Sequence, residues 1–234
     1  MKNKLTLLRV VVPLLAFTLL ALGRPAWAEE AEGAEAERTY DNLVPVEGAR
    51  VGMAYVDPEA DFSVFERVAL LEPYVAFRSN WQRDQNRSRS RNISSRDMDR
   101  IKEDVATLFE RVFVERLEAA GYPVVENAAE DVLILRPAII NLDVTAPDLR
   151  TAGRSRTFTT STGSATLYIE LFDGLSGAKI GRAADSRQIR NSGATISWSN
   201  SVTNRADAQR MFGRWADTLV KFLDDHYPGA KPEK

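Results

Sequence analysis

Two amphipathic segments constrain this chain more than any other feature. Met98, Ile101, Val105, Leu108, Phe109, Val112, Phe113 and Leu117 recur at steps of three and four, which is the period of one helix face. Ser94-Ser95-Arg96-Asp97 stands just before them. A serine N-cap with an acid three residues on is a capping-box start. Gly121 follows where a left-handed cap is wanted. A second stripe runs through Ala208, Met211, Phe212, Trp215, Leu219, Phe222 and Leu223, and Pro228 stops it. A helix with one apolar stripe has to bury it against another layer.

The residues between the stripes supply that layer. Arg67 to Phe77 is nearly all apolar and reads as a strand, with Pro73 placing part of it at an edge or bulge. Tyr122 to Val125 reads as a short strand and Asp131 to Thr145 as a long one, with a bulge expected at Arg136-Pro137. In Ser164 to Phe172, Ala165, Leu167, Ile169 and Leu171 alternate onto one face. Asp173-Gly174-Leu175-Ser176-Gly177 is a turn cluster, and Lys179 to Arg190 returns as its partner strand. Tyr40 to Pro58 reads as an extended segment laid against the domain, and the stretches 79–92, 147–161 and 191–204 read as polar loops. The expected fold is α+β: a mostly antiparallel sheet of about five strands with two helices packed on one face, in one domain over residues 40–228. Residues 229–234 are a polar tail.

The N-terminus addresses destination. Lys2, Lys4 and Arg9 lead into the apolar run Val10 to Leu22, and Ala26-Trp27-Ala28 follows. A basic region, an apolar core and a small-x-small site are the three parts of a secretory signal peptide. The run is short of the ~20 apolar residues of a membrane-spanning helix. Residues 1–28 therefore read as a signal cleaved between Ala28 and Glu29, with Ala26 and Ala28 as the small residues. Residues 29–39 begin with five acids in nine positions, Glu29 to Glu37, and read as a disordered acidic leader. The expected location is the periplasm.

Cleavage removes four basic residues and no acid, leaving 27 Lys+Arg against 33 Asp+Glu, a net charge of −6. That sign argues against nucleic acid as the partner. Cysteine is absent, so there is no disulfide framework, thiol nucleophile or thiolate metal site. Leu20-Ala21-Leu22-Gly23 has the look of a lipoprotein processing site, but Arg24 stands where the acylated cysteine would be. No lipid anchor is expected, and membrane association is peripheral at most.

Candidates for chemistry are few. Glu72, Asp131, Asp143, Glu170 and Asp173 sit in or beside strands, and two of them could serve a hydrolase if their environments split their pKa values. Asp173 reads more simply as a turn residue. His226 is the only histidine and lies at the end of the last helix, where its charge suits the helix dipole. One His and no Cys make a poor transition-metal site. Neither a Gly-x-Ser-x-Gly elbow nor a glycine-rich phosphate loop is present. No catalytic residue, cofactor or metal is assigned. Arg83, Arg87, Arg89, Arg91, Arg96 and Arg100 crowd 18 residues. They read as a solvated loop offset by Asp84, Asp97 and Asp99, or as a contact for an anionic partner. Arg83, Arg87, Arg89, Arg91 and Trp198, the last in a polar stretch, form the candidate interaction surface.

Several segments together resemble a known family: Tyr55-Val56-Asp57-Pro58, Glu72-Pro73-Tyr74-Val75, Gly121-Tyr122-Pro123-Val124-Val125, Asp131 through Ile139, and Glu170-Leu171-Phe172-Asp173 with Ser176-Gly177. In order and spacing they resemble a bacterial lipoprotein-type family, domain-of-unknown-function family 3313, over Tyr40 to Asp224. The resemblance implies secreted or envelope proteins of Gram-negative bacteria with an α+β domain and no assigned catalytic residues. Arg24 departs from the family's lipoprotein pattern. The expected function is an exported, non-enzymatic module that binds an envelope protein or other envelope component. The alternatives are a periplasmic carboxylate-dependent hydrolase and an accessory subunit of an envelope transport or assembly system.

Overall fold

Ser94 opens the first long helix through the expected capping box. Its side chain accepts from the Asp97 N–H, and Asp97 accepts from the Ser94 N–H at 3.0 Å. At the other end the Tyr122 N–H donates to the Leu117 carbonyl at 2.9 Å and the Gly121 N–H to Glu118 at 3.0 Å. Gly121 has φ +94°, and the pair of bonds is a Schellman motif that uses up the last carbonyls. Between these caps Leu108, Phe109, Val112, Phe113 and Leu117 are buried, each contributing ~1.5–3 kcal/mol.

The computed structural model describes residues 41–87, 92–144, 158–159, 161–190, 197–198 and 201–226. Its strands are β1 (Val44–Pro45), β2 (Met53–Val56), β3 (Arg67–Leu70), β4 (Tyr74–Phe77), β5 (Val132–Val144), β6 (Phe158–Thr159), β7 (Ser161–Asp173), β8 (Lys179–Arg190) and β9 (Ser197–Trp198). Its helices are α1 (Trp81–Asn86), α2 (Ser95–Ala119) and α3 (Ser201–His226), with a 3-10 turn at Phe62–Val64. The main sheet runs β1-β2-β8-β7-β5-β3, and β4 also pairs with β5. Only β3 and β4 lie parallel to β5; the other pairs in this sheet are antiparallel. Together they make an α+β fold.

Alternation along β5 and β7 sorts the two faces. Leu133, Leu135 and Ile139 of β5 and Leu167, Ile169 and Leu171 of β7 are buried in one core with the α2 stripe. Met211, Phe212, Trp215, Ala216 and Leu223 of α3 join the same core. Both long helices therefore cover one face. Ile134, Arg136 and Ala138 on β5 point the other way, opposite Phe172, Glu170 and Tyr168 of β7.

Several local expectations are corrected. The sheet has seven strands, not about five, because residues 40–58 supply β1 and β2 and residues 67–77 split in two. Tyr122–Val125 does not form a strand of its own; Val124 makes an isolated parallel bridge to Val68. No bulge occurs at Arg136-Pro137, which pair in register with Glu170 and Ile169. The Leu71 N–H donates to the Leu135 carbonyl, so Pro137, two residues on, faces the same side. There it meets the break between β3 and β4 that contains Pro73, and the N–H it lacks is the one that would have carried the ladder on to the Leu71 carbonyl, so β3 ends at Leu70. The irregularity falls instead between Ile140 and Asp143, where Asn141 adopts φ +53°.

Residues 81–86, read as part of a loop, form α1. Trp81 is buried, stacks on Phe77 at 4.0 Å between ring centroids, and donates its indole N–H to the Val144 carbonyl at 2.8 Å. The stretch 191–204 contains β9 and the first residues of α3, and β9 pairs antiparallel with β6, itself inside the expected 147–161 loop. The expected signal, acidic leader and polar tail lie outside the described residues.

Candidate functional site

Four of the five strand carboxylates, Asp131, Asp143, Glu170 and Asp173, are bound to cations or to the backbone and not to one another. Asp131 receives both forks of Arg67, including Nε at 2.7 Å, and these hydrogen bonds hold its carboxyl below the ordinary range. Asp143 accepts from Arg78 Nε at 2.7 Å, while Asp84 takes Arg78 Nη1 at 2.8 Å. Asp173 accepts from the Ser176 N–H at 2.6 Å and the Leu175 N–H at 3.1 Å. It is the turn residue its sequence context predicts, and those bonds lower its pKa. Glu72 is exposed.

Glu170 is the most enclosed of these carboxylates. It lies on the sheet face away from α2 and α3, with 8 % of its surface exposed. Arg136 Nε donates to Oε2 at 2.8 Å, and Lys179 Nζ and the Tyr168 hydroxyl reach Oε1 at 3.0 and 3.2 Å. Lys179 and Arg182 also meet Asp41 Oδ2 at 3.3 and 3.2 Å. Arg136 lies over the Phe172 ring and Arg182 over Tyr55. Burial pushes the Glu170 carboxyl up, but the hydrogen bonds and charge of Arg136 and Lys179 outweigh it, and its pKa is lowered. An ionised carboxylate between cations is a cross-strand clasp. A general acid would need the opposite shift.

The arginine surface is divided. Arg83 and Arg87 are 62 % and 70 % exposed and stand 3.8 and 3.6 Å from Asp84, which is the geometry of solvated charges worth little to stability. Arg89 and Arg91 lie outside the described residues. Trp198 pairs through its backbone with Phe158 in the β6–β9 ribbon, and its side chain is outside the description, as are Ala26, Ala28 and Glu29. His226 ends α3 with Nδ1 2.8 Å from the Phe222 carbonyl and its ring against Phe222 and Phe62. Among the described residues no group of three His, Asp or Glu could hold a metal ion. No described helix is long and apolar enough to cross a membrane.

A concave feature stands at the β2–β8 edge, where α3 crosses the sheet. A cleft of about 400 Å³ opens there. Its floor is Phe113 of α2 with Leu167, Ile169 and Leu171 of β7. Ala54 and Val56 of β2 and Ala183 of β8 form one wall, and Trp215, Leu219 and Phe222 of α3 form the other. The mouth carries Glu47 and Arg50 from the β1–β2 connection and Lys221, Asp225 and His226 from α3. Asp185 lies in the wall with its oxygens taken up. It accepts from the Trp215 indole at 2.8 Å, Arg187 Nε at 2.6 Å and the Gly52 N–H at 3.2 Å. That junction ties α3 to β8 and to the entry of β2. The volume and lining are those of a small-ligand pocket.

The cleft exists because the sheet presents small side chains where α3 presents large ones. Over the centre of the sheet Leu and Ile meet the helices, whereas Ala54 and Ala183 face Trp215 and Leu219. Sequence reading missed these residues. The available signal was the Ala183-Ala184 pair within an otherwise regular strand, opposite a helix stripe rich in aromatics.

Comparison with curated proteins gives no match. Among solved structures, protein XCC0632 from Xanthomonas campestris is 14% identical, with a TM-score of 0.39 over 78% of this chain and 93% of that one. The PelC dodecamer protein from Paraburkholderia phytofirmans is 11% identical, with a TM-score of 0.37 over 69% and 91%. A minor lipoprotein from Acinetobacter baumannii is 12% identical, with a TM-score of 0.31 over 69% and 94%. Likenesses this distant carry no argument about activity or assembly. The family model described as "Protein of unknown function (DUF3313)" matches residues 32–219, and the chain belongs to that family.

Proposed function

We propose that this protein is an exported, non-enzymatic binding module of the cell envelope, and that the cleft between β2, β8 and α3 is its binding site. The cleft carries the reading: about 400 Å³ of largely apolar space, with Asp185 in its wall held by Trp215, Arg187 and Gly52, and Glu47, Arg50, Lys221 and Asp225 at its mouth. Two further observations support it. Among the described strand carboxylates, Asp131, Asp143 and Glu170 are each bound to a cation and Asp173 to its own turn, so none of these four is paired with another as the acid and base a hydrolase uses. The N-terminal 28 residues have the organisation of a secretory signal, so the proposed mature form is exported to the periplasm.

The test is a saturable apolar probe. Anilinonaphthalene sulfonate should bind the full chain at one site with enhanced fluorescence. Ala183→Leu, which fills the cleft, should weaken that binding by about tenfold, ~1.4 kcal/mol. Absence of saturable binding, or binding indifferent to Ala183→Leu in a folded variant, would remove the cleft as the site. Fractionation with N-terminal sequencing tests the location, which predicts a mature start at Glu29 outside the cytoplasm.

A further inference from the structure

The inside and the mouth of the cleft differ in what they can recognise. Inside, the carboxylate of Asp185 and the hydroxyl of Thr218 are already satisfied by the protein, and Arg182, also in the lining, is paired with Asp41 and lies over Tyr55 while its buried Nε makes no hydrogen bond. Asp185 is held by Trp215, Arg187 and Gly52, and the Thr218 hydroxyl donates to the Arg214 carbonyl at 2.8 Å. A ligand entering this space meets aliphatic and aromatic surface. Its buried part gains chiefly by apolar area.

Volume limits how much can enter. A methylene fills about the share of one liquid water molecule, ~30 Å³, so 400 Å³ takes on the order of a dozen carbons. That suits one unbranched chain.

The mouth is balanced in charge on both sides. The β1–β2 connection contributes Glu47 and Arg50, and α3 contributes Lys221 and Asp225, 3.3 Å apart, with the His226 ring beside them turned to the Phe222 carbonyl. Each wall thus offers one anion and one cation to a head group resting there. A head carrying a single sign would meet one repelling partner on each wall, whereas a zwitterion finds a partner for both of its charges.

Building on the binding reading above, we propose that the cleft takes one single-chain zwitterionic amphiphile, of the lysophospholipid or alkylphosphocholine class. The tail lies between β2–β8 and α3, and the head sits at the Glu47/Arg50–Lys221/Asp225 mouth.

Calorimetry of the full chain with alkylphosphocholines of increasing length, each below its micelle concentration, tests this. Affinity should rise about three- to fourfold per added methylene, ~0.8 kcal/mol each, and level off near a dozen carbons at one molecule per chain. Dodecylphosphocholine should bind about tenfold more tightly, ~1.4 kcal/mol, than dodecanoate or dodecyltrimethylammonium. Glu47→Lys, a substitution at an exposed site, should shift preference toward dodecanoate without altering the chain-length slope. Affinity independent of chain length, two chains bound per protein, or equal affinity for all three head groups would overturn the assignment. If anilinonaphthalene sulfonate binds and is displaced by Ala183→Leu while the alkyl series shows no slope, this inference falls and the binding reading stands. If neither probe binds, both fall.

Discussion

Replacing Glu170 by glutamine separates a structural carboxylate from a reactive one. The amide keeps the shape and removes the charge that Arg136, Lys179 and Tyr168 now share. The Arg136 contact contributes little, because 55% of that side chain is exposed and solvent screens the pair. Lys179 is 28% exposed against 11% for Glu170, so its bond falls in the ~1.5–3 kcal/mol range of hydrogen bonds to charged groups. Both cations keep a recourse, since Lys179 still meets Asp41 at 3.3 Å and Arg136 turns to water. The expected loss is about 2–3 kcal/mol, below the ~3–5 kcal/mol of a fully buried pair that loses one member. In a chain of this size that lowers Tm by about 4–12 °C. The pH dependence has a definite sign. Because the Glu170 carboxyl has a lowered pKa in the fold, the unfolded chain takes up that proton at higher pH than the native protein does. The stabilisation is therefore complete above the unfolded pKa of about 4.3 and disappears as pH falls through the lower folded value. Urea unfolding at pH 7 and pH 3 reads both effects: a deficit for Glu170→Gln at neutral pH that shrinks in acid. A variant as stable as the parent at pH 7, or more so, would refute the clasp and return Glu170 to the candidates for chemistry, where a charge held at the expense of stability is expected.

Three further outcomes follow from single positions. Gly174→Ala would place its Cβ 2.4 Å from the Val132 carbonyl oxygen and 2.5 Å from that of Ala129; as both are backbone, the turn must shift, at a cost of about 2–3 kcal/mol in urea unfolding. Gly177→Ala, at φ +67° in open space, should cost only the left-handed strain of ~1–2 kcal/mol. Ser94→Ala removes the N-cap of α2 and should cost ~1 kcal/mol, with faster amide exchange confined to the first turn. Replacing Arg87, Arg89 and Arg91 by serine should leave the unfolding free energy within ~0.5 kcal/mol of the parent, and loss of an anionic partner in periplasmic crosslinking would identify that surface as a contact; an unchanged crosslinking profile would retire it.

The features legible in the sequence are those set by neighbours in the chain. The cap at Ser94, the stripe from Leu108 to Leu117 and the turn at Asp173 each depend on residues a few positions apart, and each stands in the structure as read. Helix α1 does not work that way. Six residues rich in Asn, Gln and Arg carry no helical stripe, and the segment is ordered by contacts beyond it: Trp81 donates to the Val144 carbonyl, and Gln82 and Asn86 bond the Ile93 backbone. Pro137 misled for a related reason. A proline in a long strand signals a bulge when its partner strand is assumed continuous, and here the neighbouring strands break at that point. The Arg–carboxylate pairs were likewise invisible. Arg67 and Asp131 are 64 residues apart and meet only because β3 runs parallel to β5.

The cleft belongs to this second class, and its composition bears on what it is for. Its lining comes from five elements spread between residues 46 and 226, so no local pattern marks it. Alanine at 54 and 183, opposite Trp215 and Leu219, leaves an interface between helix and sheet short of contacts that larger side chains would supply. A chain under pressure for stability alone would fill that space, as it does between β5, β7 and α2. Ala183→Leu should therefore raise or preserve Tm while it weakens probe binding about tenfold, the trade expected where open volume serves a ligand. A large loss of stability in the same variant would mean that the wall is already close-packed around Ala183, and the unfilled space would then have no claim to a function.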